Sequence, residues 1–431
     1  MHQNFRILNI PRFPDIASFL SPTAGFALVY GIGCRYPTEL PGRITVSELA
    51  GLLILPIFFI TGKFSSIPSA SKRKAFIACS VVTLWAAYQT AIDLFLGTDT
   101  TAIYRGVGTQ IFALANLLAY LCLFHWRPHI PIAFLIGYSV GGFLFARMES
   151  ISGALLENEY WDLMVVSWSS PLLIASILYF RNTRPIFPLV ACTIYACLSF
   201  VFGARSHGAV VAGAVAFTSI LLYGPIPRKQ LSKKRLTKLV TYAVFVFLLL
   251  YPAYIESAKR GLITPKAKQQ VLAVRNPYNP LEIISVGRYG VNIGYRIFVN
   301  NPVIGIGRVG SEEQFHQSTS GYRKDHIHSV LFEAAASGGI IGLASVLYLI
   351  YLSWTSISIT GNSRVWAFFF CSIFCVLSIS WGLVMSPLVS MRSSWPLFFS
   401  LQIWASMTVI PLSRDRAFPF EDDTLSHTQH A

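Results

Sequence analysis

The chain has 431 residues, of which 54% are hydrophobic, 14% aromatic and only 12% charged, with a formal net charge of +15. Soluble domains carry about 25% charged residues, so this chain is solvated mostly by lipid, as its mean hydropathy of +0.55 also says. A large soluble catalytic domain is excluded, and any chemistry has to sit on helix ends and on the longer loops.

The apolar runs predict an all-α polytopic membrane protein with about 12 transmembrane helices. In chain order the expected spans are 16–34, 46–61, 75–96, 106–124, 130–145, 163–180, 186–202, 209–223, 239–255, 329–354, 365–385 and 395–412. No small-residue cleavage site follows the first run, so it is expected to stay as a span. Cys79, Cys122, Cys192, Cys197, Cys371 and Cys375 lie inside these runs as small apolar side chains, with no disulfide framework or metal spacing.

Lys and Arg in short loops prefer the cytoplasm. With the N-terminus inside, eighteen such residues fall on that side, Lys72, Arg73, Lys74, Lys233, Lys234 and Arg235 among them. Six fall outside: Arg35, Arg43, Arg105, Arg147, Arg205 and Arg392. Both termini are therefore expected in the cytoplasm. The expected division is a nine-helix region (1–255), a long periplasmic loop between helices 9 and 10 (256–328), a three-helix region (329–412) and a cytoplasmic tail (413–431).

The turn between the seventh and eighth spans holds Arg205 and His207. Such an arginine suits a water-filled cavity as well as lipid headgroups. The long loop carries ten basic residues against Glu256, Glu282, Glu312, Glu313 and Asp325, a net +5. That excess points to an anionic ligand or to headgroups; a solvated loop exempted by its length is the other reading. Within it, 281–300 reads as an interfacial helix with Arg288, Asn292 and Arg296 on one stripe. Two guanidinium forks on a stripe suit a phosphate or diphosphate, although a helix lying on the membrane with snorkelling arginines has the same pattern. Asn301-Pro302 ends the helix, and Gly305, Gly307 and Gly310 form a loop able to pack closely against a ligand.

Asp325-His326-Ile327-His328 stands at the mouth of the tenth span. An imidazole there is a candidate general base, and His326, two residues away, points about 200° round a helix from His328. Glu333 follows five residues on, and a carboxylate inside a span is functional by default unless it bonds a neighbouring helix. Ala334, Ala335, Ala336, Gly338 and Gly342 let another helix approach. The acidic residues Glu149, Glu157, Glu159 and Asp162 read as a solvated outside loop, and no metal site is expected.

Taken in order, Ala204-Arg205-Ser206-His207-Gly208, Arg288, Pro302 with Gly305-Ile306-Gly307, and His328-Ser329, Phe332-Glu333 and Gly339-Ile340-Ile341-Gly342 resemble the bacterial O-antigen ligase and O-antigen polymerase superfamily. Ser329 stands where that family usually has Asn. The resemblance implies an inverting, metal-independent glycosyltransferase of the bacterial inner membrane without a cofactor. It would move a glycan from undecaprenyl diphosphate to a lipid A-core or similar acceptor, or to a growing glycan if the chain is a polymerase. Arg205 and Arg288, with Arg296 and Arg323 behind them, would hold the diphosphate, and His328 would activate the acceptor hydroxyl, with Glu333 and His326 as possible supports. Implied partners are the lipid-linked donor, the acceptor and membrane lipids, not nucleic acid. A twelve-helix transporter is the competing class, but a nine-plus-three division shows no pair of similar halves.

Overall fold

The computed structural model describes residues 16–34, 36, 44–98, 100–151, 169–181, 183–201, 205–223, 245, 249, 251–263, 265–279, 282, 289–308, 327, 329–357, 366–385, 392 and 394–407. The described elements are all helices: α1 (Ile16–Phe19), α2 (Pro22–Gly33), α3 (Val46–Ile60), α4 (Ser69–Phe95), α5 (Thr100–Phe124), α6 (Ile130–Ile151) and α7 (Ser170–Tyr179), then α8 (Ile186–Val201), α9 (Arg205–Tyr223), α10 (Pro265–Leu272), α11 (Tyr289–Asn300), α12 (Val330–Thr355), α13 (Trp366–Met385) and α14 (Ser394–Met407). Wherever an expected apolar run is described, its residues are mainly helical. Among the described residues five helices are long and apolar enough to cross a membrane, at Ser69–Phe95, Ile103–Phe124, Ser206–Tyr223, Val330–Thr355 and Trp366–Met385. Large apolar side chains such as Leu53, Ile60, Phe76, Leu84, Phe187 and Ile194 remain exposed along the helices. Such a surface is stable in lipid and costly in water. The chain is a polytopic helical membrane protein.

Helix starts follow from local chemistry. Ser21 accepts from Ala24 N at 3.3 Å with Pro22 at the first helical position, and Thr45 and Glu48 form a reciprocal capping box on α3. Packing inside lipid has no hydrophobic drive between helices, so small residues decide how closely backbones approach. The α2–α6 contact shows this: a Cβ on Gly137 would lie 2.0 Å from Leu28 O, and one on Gly31 2.4 Å from Phe134 O. Tyr30, Tyr120, Phe124, Phe134 and Tyr138 fill the space beside it.

From there α6 packs on α7, α7 and α9 on α13, and α13 on α14 and α12. α14 packs on α5, α5 on α3 and α4, and α4 on α12, which holds α11. The helix ends sort onto two faces. On one, Ser71 Oγ meets His125 Nε2 at 3.3 Å, Phe19 lies against the rings of His129 and Tyr179, and Trp366 Nε1 donates to Arg181 O at 3.0 Å. α4 and α8 run away from this face, so the end of α4 and the starts of α5 and α9 lie on the other.

Candidate functional site

On that second face α12 departs from a simple span. Ser329, fully buried, caps it, its Oγ accepting from Phe332 N at 3.2 Å and its carbonyl from Glu333 N at 2.9 Å. Ser and Asn are equivalent as N-caps, which accounts for serine at this position. Ten residues later Gly339 adopts φ +57°, ψ −145°, a region essentially reserved for glycine. The chain doubles back there. A Cβ on Gly342 would lie 2.1 Å from Ala334 O, whereas residues eight apart in a straight helix are about 12 Å apart along the axis. The structure thus divides α12 into a short arm, 330–338, and a long arm, 340–355.

The break releases backbone groups, and the segment following α11 takes them up. Ile306 N donates to Ala336 O and Gly307 N to Ser337 O, both at 3.0 Å, while Ile340 N donates to Pro302 O at 2.8 Å. Gly305 and Gly307, with φ of +80° and +74°, let this segment lie flat on the bend. A Cβ on Gly305 would meet Gly339 N and the Ser337 backbone at 2.6 Å. The Gly-x-Gly loop, expected to pack closely on a ligand, packs on the kinked helix. Gly342, expected to receive another helix, receives the other arm of α12, and Gly339 receives this loop. α11 rests on the short arm, its Gly294 against Phe332 and Ile327.

The segment ends in Arg308, which is 6% exposed. Its backbone N donates to Asp93 Oδ1 at 2.8 Å, and its guanidinium Nη2 to Gln110 Oε1 at 3.5 Å. The guanidinium fills the space beside Gly106, where a Cβ would lie 1.0 Å from Nη1. Asp93, on the last turns of α4, is fully buried. A second charged group lies deeper. Arg392 Nε stands 2.6 Å from Glu48 Oε1, both residues buried. Arg392 O accepts from Asn116 Nδ2 at 2.9 Å, eight residues and so about 12 Å from the far end of α5. None of Asp93, Gly106, Gln110, Arg308, Glu48 and Arg392 figured among the expected site residues. The available signal was a carboxylate inside the apolar runs 46–61 and 75–96, which is costly enough to mark a role.

Of the expected residues, Arg205 is the first residue of α9, and Ser206 and His207 beside it are half-buried. Arg296 lies on the exposed side of α11, whose buried side is Ile293 and Ile297. Glu333 is half-buried in the first turn of α12. Arg288, Arg323, His326 and His328 lie outside the described residues, although Ile327 and Ser329, which flank His328 in sequence, are both buried. None of the seven cysteines is paired in a disulfide. Beyond α9, residues 251–259 and α10 form a small helical unit around Ile255, Ala258, Ala267 and Val271. There Tyr278 Oη donates to the Glu256 carboxylate, and Lys259 Nζ lies 3.0 Å from the same oxygen. These two donors, Tyr278 first, hold the Glu256 carboxyl below its ordinary value.

Residues 191–347 match the family model described as O-antigen ligase. The match over this segment supports membership of the O-antigen ligase/polymerase family. The family domain runs from α8 to the long arm of α12, and so contains Arg205, Arg288, Arg296, Arg308, His326, His328 and Glu333. The partners of Arg308 on α4 and α5, and the Glu48–Arg392 pair, lie outside it. No curated protein matches the chain significantly. Members of the family are membrane glycosyltransferases of the ligase and polymerase type acting on polyprenyl-linked glycans.

Proposed function

We propose that this chain is an O-antigen ligase-like glycosyltransferase of about twelve spans, with both termini cytoplasmic and its site at the periplasmic face of the inner membrane. One observation carries the reading: the family domain contains every expected site residue, and the helix start that bears Arg205 opens on the same face as the bend of α12. The sidedness is supported by the Lys and Arg bias, since Lys63, whose Nζ lies over the Trp126 ring beside His125, Arg127, whose carbonyl accepts from Ile130 N at the start of α6, and Arg181 belong to the opposite face.

In this reading Arg205 and Arg288, with Arg296, grip the diphosphate of an undecaprenyl-diphosphate-linked glycan. Guanidinium forks match phosphate oxygens and keep their charge at any working pH. His328 takes the proton of the acceptor hydroxyl as its oxygen bonds to the anomeric carbon from the face opposite the diphosphate. The anomeric C–O bond to phosphate breaks, the configuration inverts, and undecaprenyl diphosphate leaves with the electron pair. Preorganised positive charge stabilises that leaving group as its charge develops, so no metal step is required. Lipid A-core is the proposed acceptor; a polymerase would use the same donor and residues with a growing glycan instead, and the acceptor that supports turnover separates the two.

The test follows glycan transfer and lipid-linked donor binding in the same purified variants. General-base catalysis is worth about 100- to 10,000-fold, so His328→Ala should lose transfer by that order while still binding donor, with His326→Ala milder. Arg205→Lys and Arg288→Lys should impair turnover, because a point charge does not reproduce the fork. An active His328→Ala, or two fully active lysine variants, would overturn the mechanism.

A further inference from the structure

The geometry points to Arg308 as a positioning residue, which locks the family domain onto α4 and α5 and thereby sets where α11 and the start of α12 stand. The inference rests on the glycan-transfer reading above, because its value lies in holding Arg288, Arg296 and His328 in one arrangement. Three observations converge on it. The short arm of α12 has nine residues, fewer than an isolated helix needs to hold itself. Two carbonyls at its end, those of Ala336 and Ser337, are satisfied by Ile306 and Gly307 rather than by the helix. The same segment is then fastened one residue further on, by Arg308 N on Asp93 Oδ1 and Nη2 on Gln110 Oε1.

The lock is built for a guanidinium. Gly106 on α5 leaves the space that the guanidinium fills, since any Cβ there would fall 1.0 Å from Nη1. Gly307 meets the same carboxylate, with a Cβ position 3.1 Å from Asp93 Oδ1. Burying an arginine among spans is costly, and an apolar side chain would anchor a loop at lower cost. What the arginine adds is direction: a planar group held in a slot fixes rotation as well as distance. Arg308 lies twelve residues after Arg296 and twenty before His328, so displacing it moves both ends of the proposed site. A misplacement of about 1 Å at reacting groups costs about 100-fold in rate.

The test uses the full chain in lipid nanodiscs with Gly106→Ala, Arg308→Lys, Arg308→Ala and the double variant Gly106→Ala with Arg308→Ala. Three quantities are read: transfer rate with donor affinity, thermal midpoint, and hydrogen exchange of the Ile306, Gly307 and Ile340 amides. Expected for Gly106→Ala is a rate lower by about 10- to 100-fold, a smaller change in donor affinity, and faster exchange at those three amides only. Arg308→Lys should fall between wild type and Arg308→Ala. The double variant should be no worse than Arg308→Ala, because the added methyl then has nothing to displace. Faster exchange with normal transfer would overturn the positioning role, as would a rate that falls only in step with the thermal midpoint and with exchange rising in all helices. Unchanged exchange in Gly106→Ala would overturn the lock itself. If His328→Ala keeps full transfer, the glycan-transfer reading fails, and the exchange pattern still decides whether the lock exists.

Discussion

Replacing Gly339 by alanine strikes the bend of α12 directly. At φ +57°, ψ −145° a residue with a Cβ costs about 1–3 kcal/mol in backbone strain. The same methyl would stand 2.3 Å from Val303 O, and overpacking of this kind adds about 1–3 kcal/mol. Keeping the native arrangement therefore costs about 2–6 kcal/mol. The chain has another way out, which is to release residues 302–307 from the bend. That gives up three hydrogen bonds, Ile306 N to Ala336 O, Gly307 N to Ser337 O and Ile340 N to Pro302 O, at about 0.5–1.5 kcal/mol each. Release is the cheaper response at the upper end of the strain estimate, so the loop is expected to loosen while the spans stay folded. Gly339→Ala should lower the thermal midpoint in detergent and reduce transfer. Gly108→Ala is the control: nothing lies within 4 Å of its Cβ, and alanine inside a helix is worth about 0.5–1 kcal/mol over glycine. If Gly339→Ala behaved like Gly108→Ala in both assays, the account of the bend would be wrong.

Other expectations are narrower. Arg392→Ala leaves the Glu48 carboxylate buried without the guanidinium 2.6 Å away, a loss of about 3–5 kcal/mol in comparable pairs. Glu48→Gln combined with Arg392→Met should recover most of the thermal midpoint, and a single variant no worse than the double would count against the pair. Because the Glu256 carboxyl is held below its ordinary value, its contact with Tyr278 and Lys259 stabilises the loop above the ordinary carboxylate pKa and is lost as pH falls through the lowered one. The Lys259 ammonium is held above its ordinary value, again by Tyr278 and then by Glu256, so its share is present below the ordinary lysine pKa and lost as pH rises through the raised one. Tyr278→Phe should move the Glu256 titration, followed by NMR, back upward, and an unmoved midpoint would refute the contact. Reporters fused at Lys234 and Ser318 should read cytoplasmic and periplasmic respectively; the same side for both would end the proposed topology.

By itself the sequence determined the solvent and the element type. Apolar runs of spanning length leave the backbone to satisfy itself in lipid, which forces helices, and the helices stand where the runs are. It also carried the family resemblance, because Arg205, Arg288, Pro302, Gly305-Ile306-Gly307, His328 and Gly339 keep the family's order along one continuous segment. Local chemistry was equally legible at Ser329, where serine in place of asparagine still caps α12. Only the tertiary structure decided what the glycines receive and which charges meet. Arg308 is 215 positions from Asp93 and 198 from Gln110, so no periodicity links them, and Arg308 looked like one more basic residue of a basic loop. Glu48 stood out as a carboxylate in an apolar run, but nothing in the sequence pairs it with Arg392, far along the chain. The small residues of α12 announced that a backbone comes close, but a missing side chain does not say whose. A helical pattern reports one face of one element, whereas the bend at Gly339 exists because residues 302–307 supply the hydrogen bonds that the broken helix gives up.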